Sequence, residues 1–175
     1  MSKPITAGVV LVLGGARSGK SAFAEDMVLK SGLQPVYVAT SQIWDDEMRA
    51  RINIHQARRD PRWVNIEEPN DLAGVIKGEA MQGRALLVDC LTLWVTNLMM
   101  ADAVMSDRFA ALVAALTQAE GLVVLVSNEV GLGIVPDNKM ARDFRDSAGR
   151  LHQDIAAIAD QVHFIAAGLP LTLKG

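Results

Sequence analysis

The sequence predicts an α/β fold, a mainly parallel sheet covered by helices on both faces. Three observations carry that prediction. Short apolar runs suited to buried strands recur at Val9 to Leu13, Val36 to Ala39, Ala85 to Val88, Leu122 to Val126 and Val162 to Ala166. Helix-length segments of 3.6-residue period separate most of them, and strands alternating with helices require crossover connections and hence parallel pairing. The first run leads straight into a glycine-rich loop and a helix, Gly14-Gly15-Ala16-Arg17-Ser18-Gly19-Lys20-Ser21 followed by Ala22 to Val28. Ligands of such sheets sit at the carboxyl ends of strands, so candidate site residues are sought there.

The loop has the phosphate-binding pattern of Gly, four residues, then Gly-Lys-Ser. Its chemistry needs each part. Glycines let backbone N–H groups turn inward on a phosphate chain, and the helix start adds its positive dipole end. Lys20 reaches the outer phosphates on this reading, and the Ser21 hydroxyl holds a magnesium ion. Residue usage alone produces the pattern in roughly one chain of this length in a hundred. The flanking strand and helix therefore decide against a turn that merely favours glycine.

Composition bounds the rest. At 175 residues the chain is long enough for one well-buried domain, and residues 1–175 are read as a single nucleotide-binding unit. A net charge of −3 is too mild to imply nucleic-acid or membrane partners. Met1 to Gly8 carries one lysine ahead of an apolar run that ends in the phosphate loop, so no signal peptide is expected. No apolar run approaches the ~20 residues that cross a bilayer. One cysteine, Cys90, excludes an internal disulfide and a multi-cysteine metal site. A cytoplasmic protein without membrane insertion is expected.

Taken in order, the second strand runs through Ala39 into Thr40 and Ser41, whose hydroxyls either face a nucleotide or begin a loop. Asp45 to Pro61 reads as a helix, acidic at its start, basic at its end and stopped by proline. Arg51, His55 and Arg58 or Arg59 fall on one of its faces, setting arginines that can grip phosphate beside an imidazole that can attack phosphorus. On these residues alone, a solvated basic helix with a bystander histidine is the stronger reading. Trp63 to Pro69 is a short strand or extended piece whose Glu67 either accepts hydrogen bonds from a base or ribose or is an exposed edge acid. Asn70 to Met81 reads as a helix opened by an Asn or Asp cap. The strand Ala85 to Val88 ends in Asp89, as expected of the carboxylate that holds magnesium opposite a phosphate loop. Cys90 and Trp94 read as packing residues. Ser106 to Gln118 and Asp137 to Asp160 read as helices flanking the strand at Leu122, which ends in the polar, glycine-containing stretch Ser127 to Pro136. His152 and His163 read as packing or surface histidines.

Together these pieces resemble a known family, the bifunctional adenosylcobinamide kinases and adenosylcobinamide-phosphate guanylyltransferases of the cobalamin pathway. The resemblance runs nearly end to end: Gly14 to Ser21, Ala39-Thr40-Ser41, Asp46-Glu47-Met48, Arg51-Ile52, His55, Trp63, Val88 to Thr92, Asn97-Leu98, Ser127 to Gly131, Ile134-Val135-Pro136 and Phe144-Arg145-Asp146.

The resemblance implies a RecA-like phosphate-loop domain and two reactions. ATP or GTP phosphorylates the aminopropanol hydroxyl of adenosylcobinamide; the phosphate formed then receives GMP from GTP through a covalent histidine, releasing pyrophosphate. The nucleophile's role carries to His55, and nucleotide contacts carry to Gln56, Ala57, Arg58 and Arg59, to Glu67 and to Asp89. Some relatives have consecutive histidines here; this chain has Ile54 before His55, which leaves one candidate. The implied partners are adenosylcobinamide, adenosylcobinamide phosphate, GTP, ATP and Mg2+, and the implied assembly is a homotrimer with its site near a subunit boundary. Two alternatives stand beside this: a phosphate-loop kinase without guanylyl transfer, and a nucleotide-dependent switch.

Overall fold

The structure, a computed structural model, describes residues 5–41 and 61–175. The chain runs β1 (Gly8–Gly14), α1 (Lys20–Lys30), β2 (Gln34–Ala39), β3 (Val64–Glu67), α2 (Leu72–Glu79), β4 (Arg84–Asp89), α3 (Leu91–Met100), α4 (Met105–Thr117), β5 (Leu122–Asn128), α5 (Lys139–Ile158), β6 (Gln161–Ala166) and β7 (Leu169–Lys174). The seven strands form one sheet in the order β3-β2-β4-β5-β1-β6-β7. All pairs are parallel except β6 with β7. The predicted mainly parallel α/β sheet is what the chain forms.

Each apolar run became a strand because it can bury both of its faces. Along β1, Val9 and Leu11 enter one core layer while Val10 and Val12 enter the other. That alternation between two dry layers is why the strand reads as unbroken hydrocarbon instead of as an alternation of polar and apolar residues. Leu86, Val88, Val123 and Leu125 join the first layer, packed under α2, α3, α4 and α5. Leu87, Val124 and Val126 join the second, under Ala24 and Val28 of α1. Among the described residues, α1 is thus the helix that covers the second face.

The helix expected over Asp45 to Pro61 lies, but for Pro61 itself, outside the described residues. The short strand at Trp63 is β3, an edge strand, and the expected helix from Asn70 is α2, capped by the Asp71 carboxylate on Gly74 N. Two elements were not anticipated. Leu91–Met100 is a helix buried on most of its circumference, so its sequence lacks the polar stripe that marks a surface helix. Leu169–Lys174 is an antiparallel edge strand that returns on β6 through Ala167 and Gly168, both at positive φ. No described helix is long and apolar enough to cross a membrane.

Leu86 is fully buried in a central strand. Leu86→Ala is expected to cost about 2–5 kcal/mol, from lost transfer energy and the cavity left behind. Urea unfolding should show a lower midpoint with an unchanged slope, and thermal melting a fall of about 2–4 °C per kcal/mol.

Candidate active site

The parity of the strands selects which side chains meet at the carboxyl end of the sheet. Gly14, Asn128, Asp89, Ala39 and Glu67 each follow, two residues on, a position that faces the α1 layer or is in register with one that does. The helix that begins with Lys20 and Ser21 therefore lies over the same face as the Asp89 carboxylate. Glu67, Ala39 and Asp89 form one row across β3, β2 and β4. Glu67 is exposed at the sheet edge, two strands or ~10 Å from Asp89.

The loop between β1 and α1 is held on both sides. Glu129 N donates to Gly14 O at 3.0 Å from the end of β5, and Gly168 N donates to Ser18 O at 2.8 Å from the β6–β7 turn. Two glycines are required by this packing. A Cβ on Gly14 would lie 2.6 Å from the Ile165 carbonyl oxygen, and Gly19, at φ +95°, would place one 3.1 Å from the Gly168 Cα. Gly19 is the N-cap of α1 and supplies no side-chain cap, so the first N–H groups of that helix are left for an anion.

The charge balance of the loop points the same way. Lys20 is buried, and its ammonium donates to Gly15 O at 3.1 Å. Among the described residues no carboxylate pairs with it. A buried cation resting on one neutral carbonyl is costly unless an anion joins it, which is what a phosphate chain would do. Ser18 adds a buried hydroxyl with no hydrogen-bond partner. Arg17, at φ +56°, and Ala16 are exposed at the rim.

Asp89 is half-buried, with Oδ2 accepting from the Tyr37 hydroxyl at 3.0 Å. Ser21 and Asp89 are hard oxygen donors of the kind magnesium takes. Among the described residues no cluster of three or more His, Cys, Asp or Glu could hold a metal by itself. That set fits an ion completed by phosphate and water rather than an all-protein cage.

Of the two readings open for Thr40, its hydroxyl bonds bear on the second, the start of a loop. Thr40 is fully buried, and its hydroxyl is engaged with the Cys90 backbone, accepting from N at 2.9 Å and donating to O at 2.7 Å. It shapes the turn after Asp89. Asn97 of α3 extends the same tie by donating to Thr40 O at 2.7 Å and Pro69 O at 2.9 Å. Ala39 and Ser41 flank Thr40 at the strand end and are half-buried. The Cys90 thiol is pushed up by burial and by the Asp89 charge, so it stays neutral beside Thr92. His152 is buried, bonded to Ser127 Oγ at 2.7 Å, and its pKa is lowered by burial against a smaller opposing pull from Glu129. It joins α5 to the tip of β5.

His55, Gln56, Ala57, Arg58 and Arg59 lie outside the described residues. Asn128, within the polar stretch that begins at the end of β5, stands opposite Gly14, and its side-chain amide donates to Thr92 Oγ1 at 3.0 Å. Missed by the sequence reading is Tyr37, beside Asp89; strand parity was the available signal, since Tyr37 stands two residues before Ala39.

The chain matches the family model described as cobinamide kinase / cobinamide phosphate guanyltransferase over residues 10–173. It is 50% identical to the bifunctional adenosylcobalamin biosynthesis protein CobP of Pseudomonas aeruginosa, over 94% of this chain and 96% of that protein. It is 41% identical to the bifunctional adenosylcobalamin biosynthesis protein CobU of Salmonella typhimurium, over 95% of this chain and 99% of that protein. Among solved structures, the flagellar accessory protein FlaH of Methanocaldococcus jannaschii superposes with a TM-score of 0.52 at 14% identity, covering 95% of this chain and 78% of that one, a likeness of fold. With a family model spanning nearly the whole sequence and relatives this similar, the chain belongs to the cobinamide kinase / cobinamide phosphate guanyltransferase family.

Proposed function

We propose that this chain carries both reactions of its family in assembling the nucleotide loop of adenosylcobalamin. The family match over residues 10–173 carries the reading, and the phosphate loop, whose Lys20 pairs with no carboxylate among the described residues, supports it. In the first reaction the aminopropanol hydroxyl of adenosylcobinamide attacks the γ-phosphorus of ATP or GTP. The bond to the β-phosphate oxygen breaks, the nucleoside diphosphate leaves and the hydroxyl proton is released. In the second, an imidazole nitrogen of His55 attacks the α-phosphorus of GTP and pyrophosphate leaves. A phosphate oxygen of adenosylcobinamide phosphate then displaces the histidine, giving adenosyl-GDP-cobinamide.

The residues divide the work by charge. Backbone N–H groups from Gly14 to Ser21, with Lys20, hold the outer phosphates and stabilise the negative charge that gathers there as either leaving group departs. Ser21 and Asp89 would hold a magnesium ion, which neutralises phosphate charge. A neutral imidazole is nucleophilic at pH 7 and forms a phosphoramidate labile enough to pass GMP onward. Gln56 to Arg59 and Glu67 supply further nucleotide contacts, with Arg58 and Arg59 gripping phosphate. The same reading makes the protein a cytoplasmic homo-oligomer, trimeric by resemblance to its family.

Incubation with GTP labelled on the α-phosphorus, followed by denaturation and peptide mapping, is expected to find acid-labile, alkali-stable GMP on His55. His55→Ala should abolish this label and guanylyl transfer while cobinamide phosphorylation largely persists. Equal loss of both activities would remove the assigned role. Lys20→Ala should lower kcat/KM of both reactions by about a hundredfold or more, as expected for loss of a preorganised charge at the transferring phosphates. Full activity in that variant would place the nucleotide elsewhere.

A further inference from the structure

The side chains of the core layer under α1 are almost all hydrocarbon: Val10, Val12, Ala85, Leu87, Val124 and Val126 fill it from the strands. Tyr37 is the exception among the strand positions. Its ring is buried, 7% exposed, and packs edge-on against Trp63 with centroids 6.0 Å apart and planes at 79°. A phenylalanine would fill that space equally well. The hydroxyl serves something else, and among the described residues it donates to Asp89 Oδ2 at 3.0 Å. The register explains the reach: Tyr37 is opposite Leu87, so its phenol passes diagonally up the β2–β4 ladder to the next residue on the same face. The main chain is tied at the same place, Thr40 N donating to Asp89 O at 3.3 Å.

We infer that Tyr37 is a positioning residue for phosphoryl and guanylyl transfer, holding one oxygen of Asp89 so that the carboxylate presents the other in a fixed direction to the metal and phosphates. This rests on the reading of Asp89 as a magnesium-holding carboxylate. An unrestrained carboxylate rotates about its Cβ–Cγ bond and loses entropy when it binds a cation. A phenol donating to one oxygen, itself locked between β2 and Trp63, removes most of that freedom beforehand. Partners of this kind, one shell out from a metal, change affinity or activity by about 10–100-fold when removed.

The test uses the full-length protein loaded with a non-hydrolysable GTP analogue, with Mn2+ as the probe and its binding followed by electron paramagnetic resonance. Tyr37→Phe is expected to weaken Mn2+ binding about tenfold while leaving affinity for the analogue in EDTA unchanged. Asp89→Asn should weaken Mn2+ further, and adding Tyr37→Phe to it should then change nothing. A residue that merely supported the fold would lower metal and metal-free nucleotide binding together, in both backgrounds. Mn2+ affinity within twofold of wild type in Tyr37→Phe, with Asp89→Asn still weakened, overturns the inference and spares the reading of Asp89. Unchanged Mn2+ affinity in Asp89→Asn overturns both. Tyr37→Met, which keeps apolar bulk without a hydroxyl, repeats the measurement if the phenylalanine variant is poorly folded.

Discussion

The carboxyl end of this sheet depends on one constraint: the turn from β1 into α1 must be narrow enough for two neighbours to grip its backbone. Glu129 N and Gly168 N each donate to a carbonyl of that turn, from β5 on one side and the β6–β7 hairpin on the other. A side chain at Gly14 or Gly19 would collide with the backbone of that second neighbour. With those carbonyls engaged outward, the amides at the start of α1, beyond Ser18 N and its bond to Gly15 O, are left to face an anion. The strand order β5-β1-β6 is therefore part of the site. Placing β1 between β5 and β6 puts Glu129 and Gly168, just past their ends, where they brace the loop.

The next constraint is electrostatic. Lys20 is buried with a neutral partner, while Asp89, the carboxylate presented to the same face, is occupied by the Tyr37 phenol. Had Lys20 and Asp89 been joined in an ion pair, each would have neutralised the other and a phosphate would have had to break the pair. Engaging them with a carbonyl and a phenol keeps one positive and one negative centre distinct. A nucleoside triphosphate with its cation needs that pair of charges, separated.

Much of this was legible in the sequence, and the illegible parts have a common cause. The strands stood out because two-sided burial leaves continuous hydrocarbon, and the phosphate loop because its glycines and Gly-Lys-Ser have few other uses. Asp89 was legible only as the polar stop of an apolar run. The helix Leu91–Met100 was hidden because burial around most of its circumference erases periodicity, and Cys90 gives it no side-chain cap. The edge strand Leu169–Lys174 was hidden by Pro170, which argues against a strand except at an edge. Tyr37 read as one more strand aromatic because its function depends on the register between β2 and β4, a relation that neither strand carries alone. Thr40 read equally as facing a nucleotide or beginning a loop, because the bonds of its hydroxyl to the Cys90 backbone join the ends of two strands, 50 residues apart in sequence.

On the reading proposed here, one loop can serve two reactions because both leave their charge in the same seat. Attack at the γ-phosphorus sends negative charge toward the oxygen bridging β and γ; attack at the α-phosphorus sends it onto the departing pyrophosphate. Both destinations are the outer phosphates held by Lys20 and the start of α1, so neither reaction needs a second stabilising site. What differs is which phosphorus meets a nucleophile. The kinase step brings that nucleophile with the substrate, as a hydroxyl. On the proposed route the guanylyl step takes one from the protein: the negatively charged phosphate product is repelled by the triphosphate, whereas a neutral imidazole is not. The covalent histidine of the proposed route would ease that repulsion: pyrophosphate leaves first, so the anionic acceptor approaches a phosphorus already relieved of two charged neighbours.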